Sequence, residues 1–276
     1  MTLEDRAVGT YLGMAVGDAL GATVEFMLPR EIQAQYGVHE RIRGGGWLHL
    51  KPGQVTDDTG MALALGEAIL ASGGIDIYAI AEAFNTWLRS KPVDVGHTVR
   101  RGISHFRCTG EPWALLVAYP AFRFRGRHRE NPSAYIVETL QAVFQALFDT
   151  STFSDCLVDV VNRGGDADTT GAIAGMIAGA LYGVQAIPTS WLHDLDATIR
   201  RRCRQQALAL IELSKQIPVY SLSRRSLHSH STGLQAITDS SGRAPLGAPV
   251  SPPALTFPTP ESCAHGSTAR SAAAPA

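Results

Sequence analysis

Two short motifs combine aspartate with threonine in a pattern that suits metal chemistry. The first is Thr56-Asp57-Asp58-Thr59 and the second is Asp166-Ala167-Asp168-Thr169. Each follows a turn that contains glycine and runs directly into an apolar segment with helical character. Carboxylate and hydroxyl oxygens suit Mg²⁺ or Mn²⁺, and the positive end of a helix dipole favours ionised carboxylates. If the two motifs meet, they can bind two divalent cations, which points to a metal-dependent hydrolase.

Helix capping is the simpler interpretation of either motif taken alone. Thr-Asp-Asp and Asp-x-Asp-Thr are also typical of helix N-caps, where a side-chain oxygen accepts a backbone N–H. An EF-hand is excluded at Asp166 because its third acidic ligand is missing and Ile177 stands where the closing glutamate belongs. Two acid–hydroxyl clusters in one chain, each entering a helix of small residues, favour the metal site over capping.

Glycine recurs at every fourth position in two segments, from Gly9 to Gly21 and from Gly171 to Gly183. A glycine inside a helix costs about 1 kcal/mol relative to alanine, so the repetition needs a compensating gain. Small residues let two helix backbones approach closely. We therefore predict that the two helices pack tightly and hold the second acidic motif rigidly, as a metal site requires. Separate, coincidental close contacts are the alternative.

Helical periodicity predominates up to about residue 216 and alternating β-branched runs are scarce, so the fold class is all-α. The segment from Ile77 to Leu88 has apolar residues at helical spacing and is expected to bury one face. Asn131-Pro132 is predicted to begin a helix that continues to Leu147. Residues 1–216 are predicted to form the helical domain. Residues 217–276 are rich in Ser, Pro and Ala and are predicted to be a disordered tail.

Bulk properties exclude several classes of protein. A formal net charge of -1 argues against a general nucleic-acid surface. The apolar stretch 171–187 is shorter than the roughly 20 residues of a membrane span, so none is predicted. The first residues lack the apolar core of a secretory signal, which predicts a cytoplasmic protein. The four cysteines have no Cys-x-x-Cys spacing, so no zinc site is expected.

Other polar residues carry weaker signals. Asp18 and Glu25 flank the end of the first glycine-rich helix, and either could be a surface acid. Glu25 stands in an apolar run and could instead face a cavity. Arginines alternate between residues 123 and 129, where they could bind phosphates, although a solvated basic loop is the simpler interpretation.

Three motifs, in order along the chain, resemble the ADP-ribosylglycohydrolase family. They are GDALGATVEF at residues 17–26, TDDT at 56–59 and NRGGDADTTG at 162–171. Residues 43–54 look most like the bacterial branch of that family that acts on nitrogenase. The resemblance implies an all-α orthogonal helical bundle, a dinuclear Mg²⁺ or Mn²⁺ centre, and removal of ADP-ribose from an arginine side chain.

The resemblance also implies roles for individual residues and partners. The implied catalytic residues are Glu25, which matches a family glutamate near the substrate ribose, with Asp58 and Asp166. The implied metal ligands are Thr56, Asp57, Asp58, Asp166, Asp168 and Thr169. The implied partner is an ADP-ribosylated protein, with the nitrogenase iron protein as first candidate, and a regulatory signalling protein is a further candidate.

The chain departs from the family pattern in its middle. The family has a long segment between the helix ending near Arg107 and the region around Trp113, whereas Cys108 to Pro112 joins them almost directly here. Gly60 also stands where the family has an acidic or larger residue. The bundle is therefore expected to be shortened in the middle. Two alternatives stay open: a relative that binds metal, ADP-ribose or a protein partner without turnover, and a hydrolase of another ADP-ribosyl linkage.

Overall fold

The structure, a computed structural model, describes residues 1–110 and 130–216. Within these ranges the chain forms ten α-helices and one 3-10 turn, and the single β-bridge joins Gly45 to Leu50. The all-α prediction is confirmed. The helices are α1 (Leu3–Gly21), α2 (Pro29–Tyr36), α3 (Asp57–Ser72), α4 (Ile77–Arg89), α5 (His97–Thr109), α6 (Ile136–Asp149), α7 (Phe153–Asn162), α8 (Ala167–Tyr182), α9 (Thr189–Asp194) and α10 (Ala197–Gln216), with the 3-10 turn at Val184–Ala186.

The two glycine-rich helices, α1 and α8, pack against each other in antiparallel orientation. A methyl group built on Gly17 would lie 1.9 Å from the carbonyl oxygen of Gly171, so no larger residue fits. The same close approach repeats along the pair, at Gly9 with Gly179, Gly13 with Gly175 and Gly21 with Ala167. The predicted tight packing is confirmed. Gly183 is the exception because it ends α8 with a φ of 79°.

The remaining helices enclose this central pair. Helices α6 and α7 pack on α8, and α10 packs on α1. Helix α7 contributes Phe153, Leu157 and Val160 to the core, all of them buried. Because α1 and α8 are antiparallel, the end of α1 lies beside the start of α8. The residues that follow α1 therefore meet the second acidic motif.

Helix α4 is less buried than its periodicity predicted. Its apolar positions between Ile77 and Leu88 are only half-buried, and Asn85 is the buried residue of this helix. Its main neighbours among the described residues are α3 and α5. Among the described residues, these two helices leave part of its apolar face uncovered.

The helix predicted to begin at Asn131-Pro132 begins later, at Ile136, after Tyr135 as its N-cap. Asn131 has a φ of 48°, which is incompatible with a helix, and donates its N–H to the carbonyl oxygen of Arg163 at 2.8 Å. The prediction failed because these residues form hydrogen bonds with the turn before α8 instead of starting a helix.

No helix in the described part of the chain combines the length and hydrophobicity that crossing a membrane requires. The apolar stretch that raised this question is split, since α8 has 16 residues and ends at Tyr182. Three sequence predictions lie outside the described residues, wholly or in part: the disordered tail at 217–276, the basic loop at 123–129 and the short connection at 108–112.

Candidate metal centre

The two acidic motifs, more than a hundred residues apart in sequence, meet at the starts of α3 and α8. Carboxylate oxygens of Glu25, Asp166 and Asp168 lie within 4.8 Å of one another. Oxygens of Asp57, Asp58 and Asp168 form a second group and also lie within 4.8 Å of one another. Asp168 belongs to both groups, so the two are adjacent, as two neighbouring cations would need.

Direct contact joins the two motifs. The Thr169 hydroxyl donates to Oδ2 of Asp58 at 3.1 Å. Asp168 accepts the backbone N–H of Thr169 through Oδ1 at 3.0 Å. Asp57 accepts the N–H of Gly96, from the loop before α5, at 3.2 Å. The oxygens at the site are therefore oriented by hydrogen bonds, which preorganises them for a ligand.

Neither motif caps its own helix. Thr56 and Asp166 occupy the N-cap positions of α3 and α8, but neither side chain accepts a capping hydrogen bond. Asp76 provides the contrast, since its side chain accepts the N–H groups of Tyr78 and Ala79 at the start of α4. The capping interpretation is therefore wrong for both motifs. The Asp166 carboxylate instead joins the acids of the site, and the Thr56 hydroxyl donates to Asp18 of α1.

Asp18, which is fully buried in α1, caps α3 instead. Its carboxylate accepts the backbone N–H groups of Thr56 at 3.0 Å and of Thr59 at 3.1 Å, and both threonine hydroxyls also donate to it. Thr59 is the third residue of α3, and its N–H is one that an N-cap side chain normally accepts. The surface-acid interpretation of Asp18 is therefore wrong.

Sequence reasoning did not assign Asp18 this role. The available signal was an aspartate inside an otherwise apolar helix, in which Val16, Ala19 and Leu20 are all buried. A charged residue is rarely buried without a partner, so a position on this face already requires hydrogen-bond donors from elsewhere. Which donors these are depends on where α3 packs.

A turn connects Glu25 to the start of α8. The N–H of Phe26 donates to the carbonyl oxygen of Gly165 at 2.7 Å, and the N–H of Gly165 donates to Met27 at 3.1 Å. Gly165 has a φ of 69°, and a methyl group on it would lie 2.1 Å from the carbonyl oxygen of Pro132. Only glycine fits there, so this turn places Glu25 beside Asp166.

Burial raises the pKa of the acids on the α1 side of the site. It raises the pKa of Asp18 to about 6, although the hydrogen bonds from Thr59 and Thr56 oppose the shift. It raises the pKa of Glu25 to about 7, and the nearby charges of Asp94 and Asp166 add to the effect. These shifts follow from placing several carboxylates together away from water.

The carboxylates at the helix starts show the same effect. Burial raises the pKa of Asp58 well above its usual value, and the neighbouring charges of Asp18 and Asp57 raise it further. Burial also raises the pKa of Asp168 well above its usual value, and the charges of Glu25 and Asp58 raise it further. The pKa of Asp57 is also raised, first by burial and then by the charge of Asp94.

No basic side chain in residues 1–110 or 130–216 forms a salt bridge with these acids. Buried carboxylates are stable in ionised form only if a positive charge or enough donors offset their repulsion. The donor set consists of oxygen atoms alone, which fits Mg²⁺ or Mn²⁺ and not zinc or copper. The residues present therefore fit divalent cations, and the assignment of individual ligands stays a prediction.

Gly60, one of the departures from the family pattern, has a packing reason. A methyl group on it would lie 2.6 Å from Nε1 of Trp87. Trp87 extends from α4 towards α3 and, with Gly60, lines an open cavity of about 760 Å³ that also reaches Thr56. The residue at position 60 thus makes room for α4 and does not contribute an oxygen to the site.

Comparison with known proteins relates this site to a family. A sequence model of the family described as ADP-ribosylglycohydrolase matches residues 1–123 and 114–219. The ADP-ribosyl-[dinitrogen reductase] glycohydrolase of Rhodospirillum rubrum is 42% identical over 287 residues, covering 77% of this chain and 98% of that protein. The ADP-ribosylarginine hydrolase Tri1 of Serratia proteamaculans is 28% identical, covering 69% of this chain and 75% of that protein.

A solved structure described as an ADP-ribosylglycohydrolase-related protein complex is also similar. It superposes with a TM-score of 0.66 at 28% identity and covers 77% of this chain and 99% of that chain. The alignment with the Rhodospirillum protein has 287 positions, whereas this chain has 276 residues and only 77% of them are aligned. Positions of that relative are therefore missing from this chain.

Proposed function

Because the chain belongs to the ADP-ribosylglycohydrolase family, we propose that it hydrolyses the N-glycosidic bond between ADP-ribose and an arginine side chain of a modified protein. The names of two relatives support this substrate class. The Rhodospirillum protein is named for ADP-ribosyl-dinitrogen reductase, and the Serratia protein is named for ADP-ribosylarginine. Dinitrogen reductase, the nitrogenase iron protein, is the first candidate substrate.

The observation that carries the proposal is the convergence of both acidic motifs with Glu25 at one site. Two divalent cations, Mg²⁺ or Mn²⁺, would supply Lewis acidity for the ribose hydroxyls and lower the pKa of a bound water. The residues proposed to hold them are Thr56, Asp57, Asp58, Asp166, Asp168 and Thr169. Their rigid support by the α1–α8 pair suits a reaction that depends on positioning the ribose.

Proton transfer is assigned to the carboxylates around this site. A guanidine is a poor leaving group unless it departs in protonated form, so an acid must lie near the scissile bond. Glu25 suits this role because its pKa, raised to about 7 by burial, lies close to neutral pH. Asp58 and Asp166, also proposed as catalytic, lie in the same two groups of acids and are the alternatives for this role.

The test is the variant Asp168→Asn, which removes one charge shared by both groups of acids. We expect it to lose Mn²⁺ binding in calorimetry and to lower the release of ADP-ribose from an arginine-modified protein more than about a hundredfold. Asp155→Asn is the matched control, since Asp155 is an exposed aspartate in the first turn of α7. Undiminished turnover in Asp168→Asn would refute the proposal.

A relative that binds without turnover is the second candidate, and the missing alignment positions favour it. Such a protein would bind Mn²⁺ and ADP-ribose through the same carboxylates but lack part of the substrate cleft. Calorimetry with ADP-ribose, run beside a long incubation with arginine-modified protein, separates the two candidates. Binding without any released product supports the second, and released product supports the first.

A further inference from the structure

Two aromatic side chains lie exposed beside the acidic site. Phe26 is 62% exposed and Trp47 is 51% exposed. Their ring centroids are 5.4 Å apart and their planes are inclined at 47°. The indole N–H of Trp47 donates to Oε2 of Glu25 at 2.6 Å. The pair, which we call the aromatic pair, is thus tied directly to an acid of the site.

The backbone adopts unusual conformations to present these rings. Phe26 has a φ of 62°, which is uncommon for a bulky residue, and its hydrogen bond to Gly165 maintains that conformation. Trp47 follows Gly46, whose φ is 66° and whose added methyl group would lie 2.4 Å from the carbonyl oxygen of Ala22. Strained residues that persist in this way cluster at ligand-binding sites.

Burial would ordinarily be the more stable state for both rings. A large apolar side chain gains roughly 1.5–3 kcal/mol when it leaves water. Both aromatic residues remain at least half exposed although the nearby Val24 is fully buried. Because the Trp47 N–H is occupied by Glu25, the open surface left to a ligand is the carbon surface of the indole.

The charge around the pair selects the kind of ligand. The two groups of acids at the site contain five carboxyl groups, those of Glu25, Asp57, Asp58, Asp166 and Asp168, and Trp47 contacts one of them. A surface this rich in carboxyl groups attracts cations and disfavours anions. Exposed aromatic rings beside negative charge favour a planar cation, and a guanidinium both stacks on rings and binds through cation–π attraction.

We propose that the aromatic pair of Phe26 and Trp47 binds the guanidinium of the modified arginine, the group that leaves in the reaction. This inference rests on the proposed function. The scissile bond must lie near Glu25, Asp166 and Asp168, and Trp47 contacts Glu25 directly. The adenine of ADP-ribose lies at the opposite end of the substrate from that bond, so it is the less suitable occupant.

The test uses the full-length protein loaded with Mn²⁺ and the variant Phe26→Leu, which removes the ring face and keeps apolar volume. We expect KM for an arginine-ADP-ribosylated peptide to rise about three- to fivefold, with kcat unchanged, since a cation–π contact at an exposed site is modest. Calorimetry should give a Kd for free ADP-ribose within about twofold of the wild-type value, because ADP-ribose lacks the guanidinium.

Two variants serve as controls. Phe26→Tyr retains an aromatic face and should keep the KM of the wild type. Phe148→Leu makes the same change at a 71% exposed phenylalanine of α6 and should also leave KM unchanged. An unchanged KM in Phe26→Leu would overturn the inference. A Kd for ADP-ribose that weakens in step with KM would overturn it too, because the ring would then contact the nucleotide.

Failure of the proposed function gives a different result. If the wild-type protein releases no ADP-ribose, the proposed hydrolysis fails, and the peptide conjugate stays intact during calorimetry. The Kd of that conjugate then replaces KM. The aromatic pair is supported if Phe26→Leu weakens this Kd three- to fivefold while leaving that of ADP-ribose unchanged, and it is overturned if both or neither change.

Discussion

The hydrogen bond from Thr59 to Asp18 allows the support of the proposed metal centre to be tested without altering a proposed ligand. Thr59 is fully buried, and its hydroxyl donates to the buried carboxylate that also orders Thr56. Thr59→Val keeps the shape of the side chain and removes this donor. A hydrogen bond to a charged group contributes about 1.5–3 kcal/mol, and that is the upper limit of the effect.

Loss of this hydrogen bond should lower the affinity for Mn²⁺ as well as the stability of the protein. Cations at the site need the start of α3 in one position, and Asp18 maintains that position through Thr56 and Thr59. If the whole cost falls on the loaded state, the Kd for Mn²⁺ weakens roughly ten- to hundredfold. Calorimetric titration with Mn²⁺ measures this, and urea unfolding of the metal-free protein measures the stability change separately.

Two further variants make the result decisive. Thr59→Ser retains the hydroxyl and should recover most of the affinity for Mn²⁺. Thr139→Val removes a buried hydroxyl from α6, where it donates only to backbone carbonyls, and should lower stability without changing that affinity. If Thr59→Val also lowers stability alone, with its Kd for Mn²⁺ unchanged, the positioning role derived for Asp18 is refuted.

Two other predictions concern the fold and its pH dependence. Gly17→Ala should lower the free energy of unfolding by about 3 kcal/mol or more in urea denaturation, because its methyl group would meet backbone atoms and not a movable side chain. Gly74→Ala is the control: a methyl group there has open space, so the free energy of unfolding should change little. The folded pKa values of Glu25 and Asp18 are raised to about 7 and about 6, so the metal-free protein holds more protons than the unfolded chain between about pH 4 and 7. The stability of the metal-free protein should therefore fall as pH rises through this window, and saturating Mn²⁺ should abolish the fall. Thermal unfolding from pH 5 to 8, with either EDTA or Mn²⁺ present, measures both effects. A metal-free stability that does not change with pH would contradict the raised pKa values.

Local chemistry made much of the fold readable from sequence. The glycine repeats predicted the close packing of α1 and α8, because only a backbone contact compensates for so many helical glycines. The scarcity of alternating patterns predicted an all-α chain. A prediction failed where a local sequence signal was compatible with more than one set of hydrogen-bond partners. Asn131-Pro132 resembles a helix start, but its hydrogen bonds go to the turn before α8.

The candidate site was also predictable only in part from the sequence. Residue types alone indicated that the carboxylates and hydroxyls of Thr56-Asp57-Asp58 and Asp166-Ala167-Asp168 suit hard divalent cations, with helix capping as the alternative. Whether these oxygens cap helices or face one another is a question of distance. A sequence does not contain that distance, and the packing of α1 against α8 and α3 decides it.

The roles of Asp18 and Trp47 were decided by tertiary structure alone. Asp18 accepts donors from a helix that begins about forty residues later, and Trp47 reaches Glu25 only because the preceding glycines bend the chain against the end of α1. Sequence by itself determined which atoms are available for chemistry, because atom types belong to residues. Tertiary structure decided which of them meet, because hydrogen bonds act over only a few ångströms and repulsion between carboxylates over about ten.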